Sequence, residues 1–346
     1  MAQPVVSYPG SKWRFYPHMV EYFPTDMKVF VEPFFGGGSV SLSVADDSRF
    51  SKLERIVGGD LYTEMWALWQ GIKQDPDAVI EEATKMFKQW CPHHEELRQS
   101  DFVAADARKY MAGGAFENYL TSDELSEADK KIIQSKLKLH DIACEEANKF
   151  WAWAQEVKTD DMALPKRAAR MLLVNKISFS GMGDAGSLSK DRFTEFYLDR
   201  LNVVYDAHRL MQKIEIYNVS FEKTMEIAEQ TPNDSFVFLD PPYIAQEGSG
   251  LYGKNGSTHK GFPHEEFAKR TLALKSRWFV TYDDSVAVRK LFSGKTADGS
   301  PVCFKPFTIP GGYTMAGKTA EDALAGEELF ISNMNLNEDS EDDYNF

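Results

Sequence analysis

The chain has 346 residues, 43% of them hydrophobic, and a formal net charge of −14 that by itself disfavours a nucleic-acid partner. No apolar run reaches the roughly 20 residues that span a bilayer, and the N-terminus lacks the pattern of a secretion signal, so we expect no membrane partner. Cys91, Cys144 and Cys303 lie far apart and form no CxxC pair, so we expect no disulfide framework, no metal site and a cytoplasmic setting.

The first predicted unit is a strand followed by a glycine-rich turn. Lys28–Glu32 reads as a buried strand, and a helix is predicted after the turn. The turn consists of Pro33, Phe34, Phe35, Gly36, Gly37, Gly38 and Ser39. Glycines let a backbone approach a ligand closely, and a strand, turn and helix in this order open many nucleotide-binding sheets. Ser41 stands where the dinucleotide pattern GxGxxG needs its third glycine, which disfavours a hydride-transfer enzyme.

Two charged residues flank this unit. Lys12 ends a Pro-Gly turn, where its ammonium either faces an anion or is simply solvated. Asp60 follows a second predicted strand, which begins at Arg55. It lies 24 residues beyond Gly36, near the spacing at which an acid meets ribose hydroxyls. Together these features favour an adenosine-type ligand.

A long helical block and a basic stretch come next. Residues 61–161 show helical periodicity without strand alternation and are strongly acidic. Residues 162–213 hold nine Lys/Arg against five Asp/Glu. The candidate phosphate or base contacts there are Lys166, Arg167, Arg170, Asn175 and Lys176. The same residues also fit an ordinary charged helix face followed by a polar loop.

The segment around Asp240 carries the chemistry. Ser235–Leu239 is a continuous apolar run, typical of a central parallel strand, and open α/β sheets bind ligands at the carboxyl ends of such strands. The run is followed by Asp240, Pro241, Pro242 and Tyr243. A carboxylate, a carbonyl that points outward and a flat ring suit a planar amine that must be held, stacked and polarised. A plain Pro-Pro turn is the alternative.

The predicted loop 244–262 carries a second group of basic residues, with Lys254 and Lys260 as candidate DNA contacts. A helix over 264–276 and a strand over 278–283 form a further αβ unit. Alternating strands and helices predict an α/β fold with a doubly wound, mostly parallel sheet.

Six motifs in this order resemble the Dam-type DNA adenine-N6 methyltransferases of the α group. They are Tyr8–Lys12, Val31–Ser39, Asp60, Ser220-Phe221, Asp240–Tyr243 and Phe279–Asp284. The resemblance implies the Rossmann-like fold of enzymes that use S-adenosyl-L-methionine, with an inserted, mainly helical target-recognition domain. It also implies a catalytic domain formed by 1–61 and 214–335, an insertion over 62–213 whose basic part, 162–213, reads DNA, and a disordered acidic tail over 336–346.

The resemblance also assigns roles. Tyr8, Lys12, Asp60 and Asp240 would contact S-adenosyl-L-methionine, and Glu32–Ser39 would wrap its methionine part. Asp60 would hold the ribose hydroxyls, while Ser220 and Phe221 would border the adenine ring. Met182-Gly183-Asp184 follow Asn175–Gly181, where the family commonly has an arginine, so a GATC target is not carried over.

We therefore expect site-specific methylation of the exocyclic amine of an adenine flipped out of double-stranded DNA, in a bacterial or phage-infected cell. Asp240, Pro241, Pro242 and Tyr243 would be the catalytic residues. The alternatives are a methyltransferase with the same motif that acts on RNA or on a protein amide, and a non-catalytic binding protein that keeps the fold.

Overall fold

A computed structural model describes residues 3–8, 10–100, 126–244, 261–308 and 327–336. Its strands are β1 Val29–Glu32, β2 Arg55–Gly59, β3 Ile214–Tyr217, β4 Ser235–Leu239, β5 Arg277–Asp283, β6 Cys303–Thr308 and β7 Glu327–Ser332. The α-helices of these ranges are α1 Tyr16–Met19, α2 Ser39–Asp46, α3 Thr63–Gln74, α4 Pro76–Trp90, α5 His94–Gln99, α6 Glu127–Glu156, α7 Leu164–Ile177, α8 Lys190–Thr194, α9 Val203–Met211, α10 Phe221–Ala228, α11 His264–Ala273 and α12 Val286–Leu291. Short 3₁₀ helices cover Lys12–Arg14, Val20–Tyr22, Phe179–Gly181, Gly183–Ala185 and Leu198–Asn202.

The strands form one sheet in the order β3-β2-β1-β4-β5-β7-β6. The first five positions are parallel, and β7 is antiparallel to both β5 and β6. Strands from the two ends of the chain therefore share one sheet, in which β1 and β2 lie between β3 and β4. The predicted α/β fold with a mostly parallel sheet is confirmed, and the division into domains stays a prediction.

Both faces of the sheet are buried, as expected of central parallel strands. Phe30, Phe236 and Phe238 point into the larger core, whereas Val31 and Val237 point into a second core on the opposite face. Successive side chains of a strand alternate between faces, so central strands such as β1 and β4 contribute to both cores. This arrangement leaves only the strand ends available for polar chemistry.

The helices of the region between β2 and β3 pack tightly on one another. Helix α4 begins with an Asp75 cap, which accepts a hydrogen bond from the Ala78 N–H at 2.9 Å, and with Pro76 at its first position. Helices α3 and α7 approach so closely that a Cβ on Gly71 would lie 2.5 Å from the Ala168 methyl group. The predicted helical character of 61–161 is confirmed wherever the structure describes that region.

One predicted helix is shorter than expected. The helix predicted over 264–276 ends at Ala273, because Glu229 accepts hydrogen bonds from the N–H groups of Lys275 and Ser276 and redirects the chain into β5.

The predicted tail 336–346 lies outside the described residues except for Leu336, which is buried.

Candidate active site

Three acidic residues meet at one edge of the sheet. Glu32 ends β1, Asp60 directly follows β2 and Asp240 directly follows β4. These strands are parallel neighbours, so their carboxyl ends lie side by side. The three acids predicted from separate motifs are thus brought to one place by the strand order.

The glycine-rich turn lies under the N-terminal segment. Gly36 and Gly38 have φ angles of +46° and +67°, which favour glycine. A Cβ on Gly36 or Gly37 would lie 2.8 Å from Tyr8. Trp69 donates a hydrogen bond to the Gly36 carbonyl at 2.9 Å. The turn therefore has its shape because two aromatic side chains and the backbone leave no room for other residues.

Glu32 anchors the start of helix α2. Its carboxylate accepts hydrogen bonds from the N–H group of Ser41, at 3.0 Å, and from the Ser41 hydroxyl. Burial raises the pKa of Glu32 to about 8. At neutral pH this carboxyl group is therefore mainly protonated and adds little negative charge to the edge of the sheet.

Asp60 connects the glycine turn to the start of α3. Its two oxygens accept hydrogen bonds from the N–H groups of Gly36, at 2.8 Å, and Tyr62, at 2.7 Å. Each carboxylate oxygen has a second acceptor position, so the group keeps capacity for two further donors. Burial raises the pKa of Asp60 to about 6.

Asp240 is held from one side. Its Oδ1 accepts a hydrogen bond from Thr281 Oγ1 at 2.8 Å and pairs with the Lys12 ammonium, also at 2.8 Å. None of the described residues donates a hydrogen bond to Oδ2. Lys12 is only 3% exposed. Burial opposes its charge, yet Asp240 and Glu328 outweigh burial and raise the pKa of Lys12 above its ordinary value.

Tyr243 lies between several partners beside Asp240. Its ring stacks on Tyr282 with centroids 5.4 Å apart and an interplanar angle of 27°. The Lys12 ammonium lies 5.0 Å from the ring centroid, and the hydroxyl donates a hydrogen bond to Glu328 Oε2 at 2.5 Å. The ring remains partly exposed.

Aromatic side chains form an apolar wall beside the glycine turn. Phe34 stacks on Phe221 with centroids 5.6 Å apart, and Phe262 packs against both rings. Ser220 precedes this wall as the residue before α10. The predicted site residues Phe34, Ser220 and Phe221 therefore lie together. Phe34 and Phe221 are on the face of the sheet to which Val31 and Val237 point.

Most of the predicted DNA contacts in the basic stretch have internal partners. Arg170 is 4% exposed, and its guanidinium binds the Asp184 carboxylate at 2.6 and 3.0 Å and the Ala154 carbonyl at 3.0 Å. Because its donors are used inside the protein, we no longer assign Arg170 to DNA. Arg167 donates to Glu64 at 2.6 Å and is 12% exposed, so we no longer assign it to DNA.

Asn175 is also structural. It is 1% exposed and exchanges two hydrogen bonds with the backbone of Ser7, at 3.1 and 2.7 Å. A third hydrogen bond, of 2.8 Å, reaches the Gly181 carbonyl. Asn175 therefore joins the loop after α7 to the N-terminal segment, and we no longer assign it to DNA.

The two lysines of this stretch differ in exposure. Lys166 is exposed. Lys176 donates a hydrogen bond to the Val5 carbonyl at 2.5 Å, and burial, together with the nearby Arg192 and Arg200, lowers the pKa of Lys176 to about 8. Lys254 and Lys260 lie outside the described residues.

Sequence reasoning gave no site role to several residues that shape this edge. Thr281 donates a hydrogen bond to Asp240, and Glu328 accepts one from Tyr243. The Tyr62 N–H group donates to Asp60, and Trp69 donates to the glycine turn at Gly36. Thr281 was within reach of prediction, because β5 was predicted and its pairing with β4 sets Val280 opposite Leu239. Glu328 comes from a strand that pairs antiparallel, and no local pattern indicates its partner.

Within the described residues, no three His, Cys, Asp or Glu side chains form a metal-binding group. Nor does any helix described there have the length and apolar character needed to cross a membrane.

Comparison with known proteins gives a consistent picture. The family model for the D12 class N6 adenine-specific DNA methyltransferases matches residues 8–299. The chain is 22% identical over 316 residues to the Type II methyltransferase M1.LlaDCHI of Lactococcus lactis subsp. cremoris, covering 89% of this chain and 86% of that protein. It is 20% identical over 254 residues to the Type II methyltransferase M.MjaIII of Methanocaldococcus jannaschii, and the match covers 70% of this chain and 69% of that protein. The chain therefore belongs to the D12 class N6 adenine-specific DNA methyltransferase family, and its activity is adenine-N6 methylation of DNA.

Proposed function

We propose that this enzyme transfers a methyl group from S-adenosyl-L-methionine to the N6 amine of an adenine flipped out of double-stranded DNA. The observation that carries the proposal is the state of Asp240. Lys12 and Thr281 both engage Oδ1, and Oδ2 is left without a donor among the described residues. The carboxylate is thus oriented and keeps one oxygen for the substrate.

The residues at the sheet edge fit the cofactor. Asp60 keeps acceptor capacity for two hydroxyl groups, as a ribose requires, and Phe34 and Phe221 offer an apolar wall for an adenine ring. The residues that would hold the cofactor are Tyr8, Lys12, Glu32, Pro33, Phe34, Phe35, Gly36, Gly37, Gly38, Ser39, Asp60, Ser220, Phe221 and Asp240. When bound, S-adenosyl-L-methionine supplies an electrophilic methyl group on a positively charged sulfur.

The protein's own chemical task is to activate a poor nucleophile. The lone pair of the adenine amine is delocalised into the ring. Hydrogen bonds from its two hydrogens to Asp240 Oδ2 and to the Pro241 carbonyl favour a tetrahedral nitrogen, whose lone pair is then available. Pro242 has no N–H group, so the turn offers no competing donor. Holding two reactants in the correct geometry supplies roughly 7–11 kcal/mol of the barrier reduction.

Tyr243 supplies the surface for the extruded base. Enzymes that act on a base inside a duplex must remove it from the stack and bind it in a pocket. The partly exposed ring beside Asp240 serves that purpose. Of the predicted contacts in α7, the exposed Lys166 remains as a cation for phosphate, whereas the Lys176 ammonium is bound to the Val5 carbonyl. Phe179, 48% exposed on the loop after α7, offers an apolar contact to the bases. A DNA substrate and these contacts fit the cytoplasm of a bacterial or phage-infected cell.

The test is transfer of a labelled methyl group to unmethylated duplex DNA, with the modified nucleoside identified by mass. We expect label on N6 of adenine for the wild type and for Asp234→Ala, which alters an exposed acid near the start of β4. Asp240→Ala should lower transfer by at least about 100-fold. Because Asp240 also belongs to the proposed cofactor set, calorimetry should find a smaller loss of cofactor affinity than the loss of transfer.

Label on cytosine would contradict the proposal, as would equal transfer by Asp240→Ala and the wild type. Preferential labelling of RNA over duplex DNA in competition at fixed salt would replace the substrate.

A further inference from the structure

A second buried carboxylate lies next to the catalytic turn. Glu328 is 1% exposed and belongs to β7, where it is paired in register with Asp283 of β5 on one side and Phe307 of β6 on the other. Burial of a carboxylate is costly unless hydrogen bonds or charges compensate it. Its partners therefore indicate why it is there.

One partner is the tyrosine of the catalytic turn. The Tyr243 hydroxyl donates to Glu328 Oε2 at 2.5 Å and lies 3.4 Å from Asp240 Oδ1. A distance of 2.5 Å is typical of a hydroxyl that donates to an ionised carboxylate, which is among the stronger hydrogen bonds in proteins. Glu328 is thus the nearer acceptor of the tyrosine hydroxyl, and the longer contact with Asp240 is the weaker of the two.

The ring of Tyr243 is held from three separate parts of the chain. Tyr282 of β5 stacks on it, Lys12 from the N-terminal segment lies 5.0 Å from its centroid, and Glu328 of β7 binds its hydroxyl. A tyrosine ring has only two side-chain torsions, so a fixed hydroxyl and one stacked neighbour are enough to set the plane of the ring. Loss of the hydroxyl anchor would remove the short hydrogen bond to Glu328 from this set of contacts.

We propose that Glu328 is a positioning residue for methyl transfer, which acts through the Tyr243 hydroxyl to set the plane of the ring that receives the target adenine. This inference rests on the proposed function, because it assumes that the base stacks on Tyr243. In this proposal Glu328 acts only through Tyr243 and is given no contact of its own with the base, the cofactor or the reacting atoms.

The experiment is a double-mutant cycle read by single-turnover methylation of unmethylated duplex DNA. Glu328→Ala and Tyr243→Phe should each lower the rate by about 10-fold to 100-fold, since each removes the same charge-assisted hydrogen bond. The double variant should be no slower than Tyr243→Phe alone. Glu328→Gln keeps an acceptor oxygen and should stay within about threefold of the wild type.

Two further readouts separate positioning from a merely structural role. Cofactor affinity by calorimetry and the unfolding midpoint should be nearly unchanged in Glu328→Gln and Tyr243→Phe, so the comparison of these two variants stands even if Glu328→Ala folds poorly. Glu215→Gln, which alters a carboxylate on the distant edge strand β3, should behave as the wild type.

The proposal is overturned if Glu328→Ala slows the Tyr243→Phe variant by the same factor as it slows the wild type. It is equally overturned if Glu328→Gln loses as much activity as Glu328→Ala, since the charge near Lys12 would then be the relevant property. Adenine labelling by the wild type in the same assay shows that either failure belongs to this inference and not to the proposed function.

Discussion

Buried charged groups at the carboxyl edge of the sheet and around helix α7 differ in how much of their hydrogen-bonding capacity the protein itself uses. At the sheet edge, Asp60 and Asp240 are anchored by the protein but keep free acceptor positions. Around α7, Arg170 and Asp184 satisfy each other through two hydrogen bonds and are both almost fully buried. A buried charge with remaining hydrogen-bonding capacity indicates a binding site, whereas a buried charge whose partners are complete indicates architecture.

The largest expected effect is a loss of stability when the buried ion pair of Arg170 and Asp184 is broken. Arg170→Ala leaves Asp184 buried without its main partner, and removing one member of a buried ion pair typically costs about 3–5 kcal/mol of the free energy of unfolding. Denaturant unfolding measures this loss. Lys166→Ala, on the exposed side of the same helix, is the matched control and should change stability by less than about 0.5 kcal/mol. A stable Arg170→Ala protein with weakened DNA binding would reverse our assignment of Arg170 to the interior.

The loop after α7 should be nearly as sensitive. Gly181 has φ +71°, and a Cβ there would lie 2.5 Å from the Ser7 carbonyl oxygen. Gly181→Ala combines backbone strain with a clash against the main chain, so we expect a loss of roughly 2–4 kcal/mol.

Gly299→Ala isolates the strain in that comparison. Gly299 has φ +84° with nothing within 4 Å of a Cβ, and the expected loss is about 1–2 kcal/mol. Equal losses in the two variants, by thermal or denaturant unfolding, would show that the loop does not depend on its contact with Ser7.

The free acceptor positions of Asp60 predict that the affinity for S-adenosyl-L-methionine changes about tenfold with pH. Asp60, with a pKa of about 6, is mostly ionised at pH 7 and mostly protonated at pH 5. Its protonated form is a poorer acceptor for ribose hydroxyls, so the affinity for S-adenosyl-L-methionine should fall about tenfold as the pH drops across this range. Glu32, with a pKa of about 8, stays protonated throughout and adds no slope.

Calorimetry between pH 5 and pH 7 measures this dependence. Asp60→Asn should bind more weakly at pH 7 and show a flat profile. A profile with the same slope in Asp60→Asn would assign the titration to another group.

The smallest effect is expected for Lys166. If this exposed side chain contacts a phosphate, Lys166→Ala weakens DNA binding severalfold and reduces the salt slope of the affinity by about 1. The Lys223→Ala variant, on the outer surface of α10, is the control and should leave both quantities unchanged. An unchanged slope in Lys166→Ala would remove the last exposed member of α7 from the DNA surface.

Several features were predictable from sequence because local rules determine them. Strand patterns identified β1, β2, β4 and β5, and the acidic residues at the ends of the first three identified Glu32, Asp60 and Asp240. The carboxyl ends of neighbouring parallel strands lie at the same edge of the sheet, so these residues lie close together. The same reasoning explains why the glycine turn was found.

Other features depend on contacts between distant parts of the chain. Helical spacing places Lys166 and Arg170 on one side of α7, but the pattern does not show that Arg170 meets Asp184, 14 residues later, in the interior. Asn175 binds Ser7 across 168 residues, and Tyr243 binds Glu328 across 85. No local periodicity encodes such pairs.

The order of the strands has a consequence for how the segment between β2 and β3, which is predicted to read DNA, can vary. Strands β2 and β3 are neighbours in the sheet, although residues 60–213 separate them along the chain. The entropy of closing such a long connection grows only with the logarithm of its length, so doubling it costs about 0.6 kcal/mol. Lengthening a surface loop within this segment would therefore cost the catalytic sheet little stability, provided that the contacts of α3 and α9 with β3 are kept.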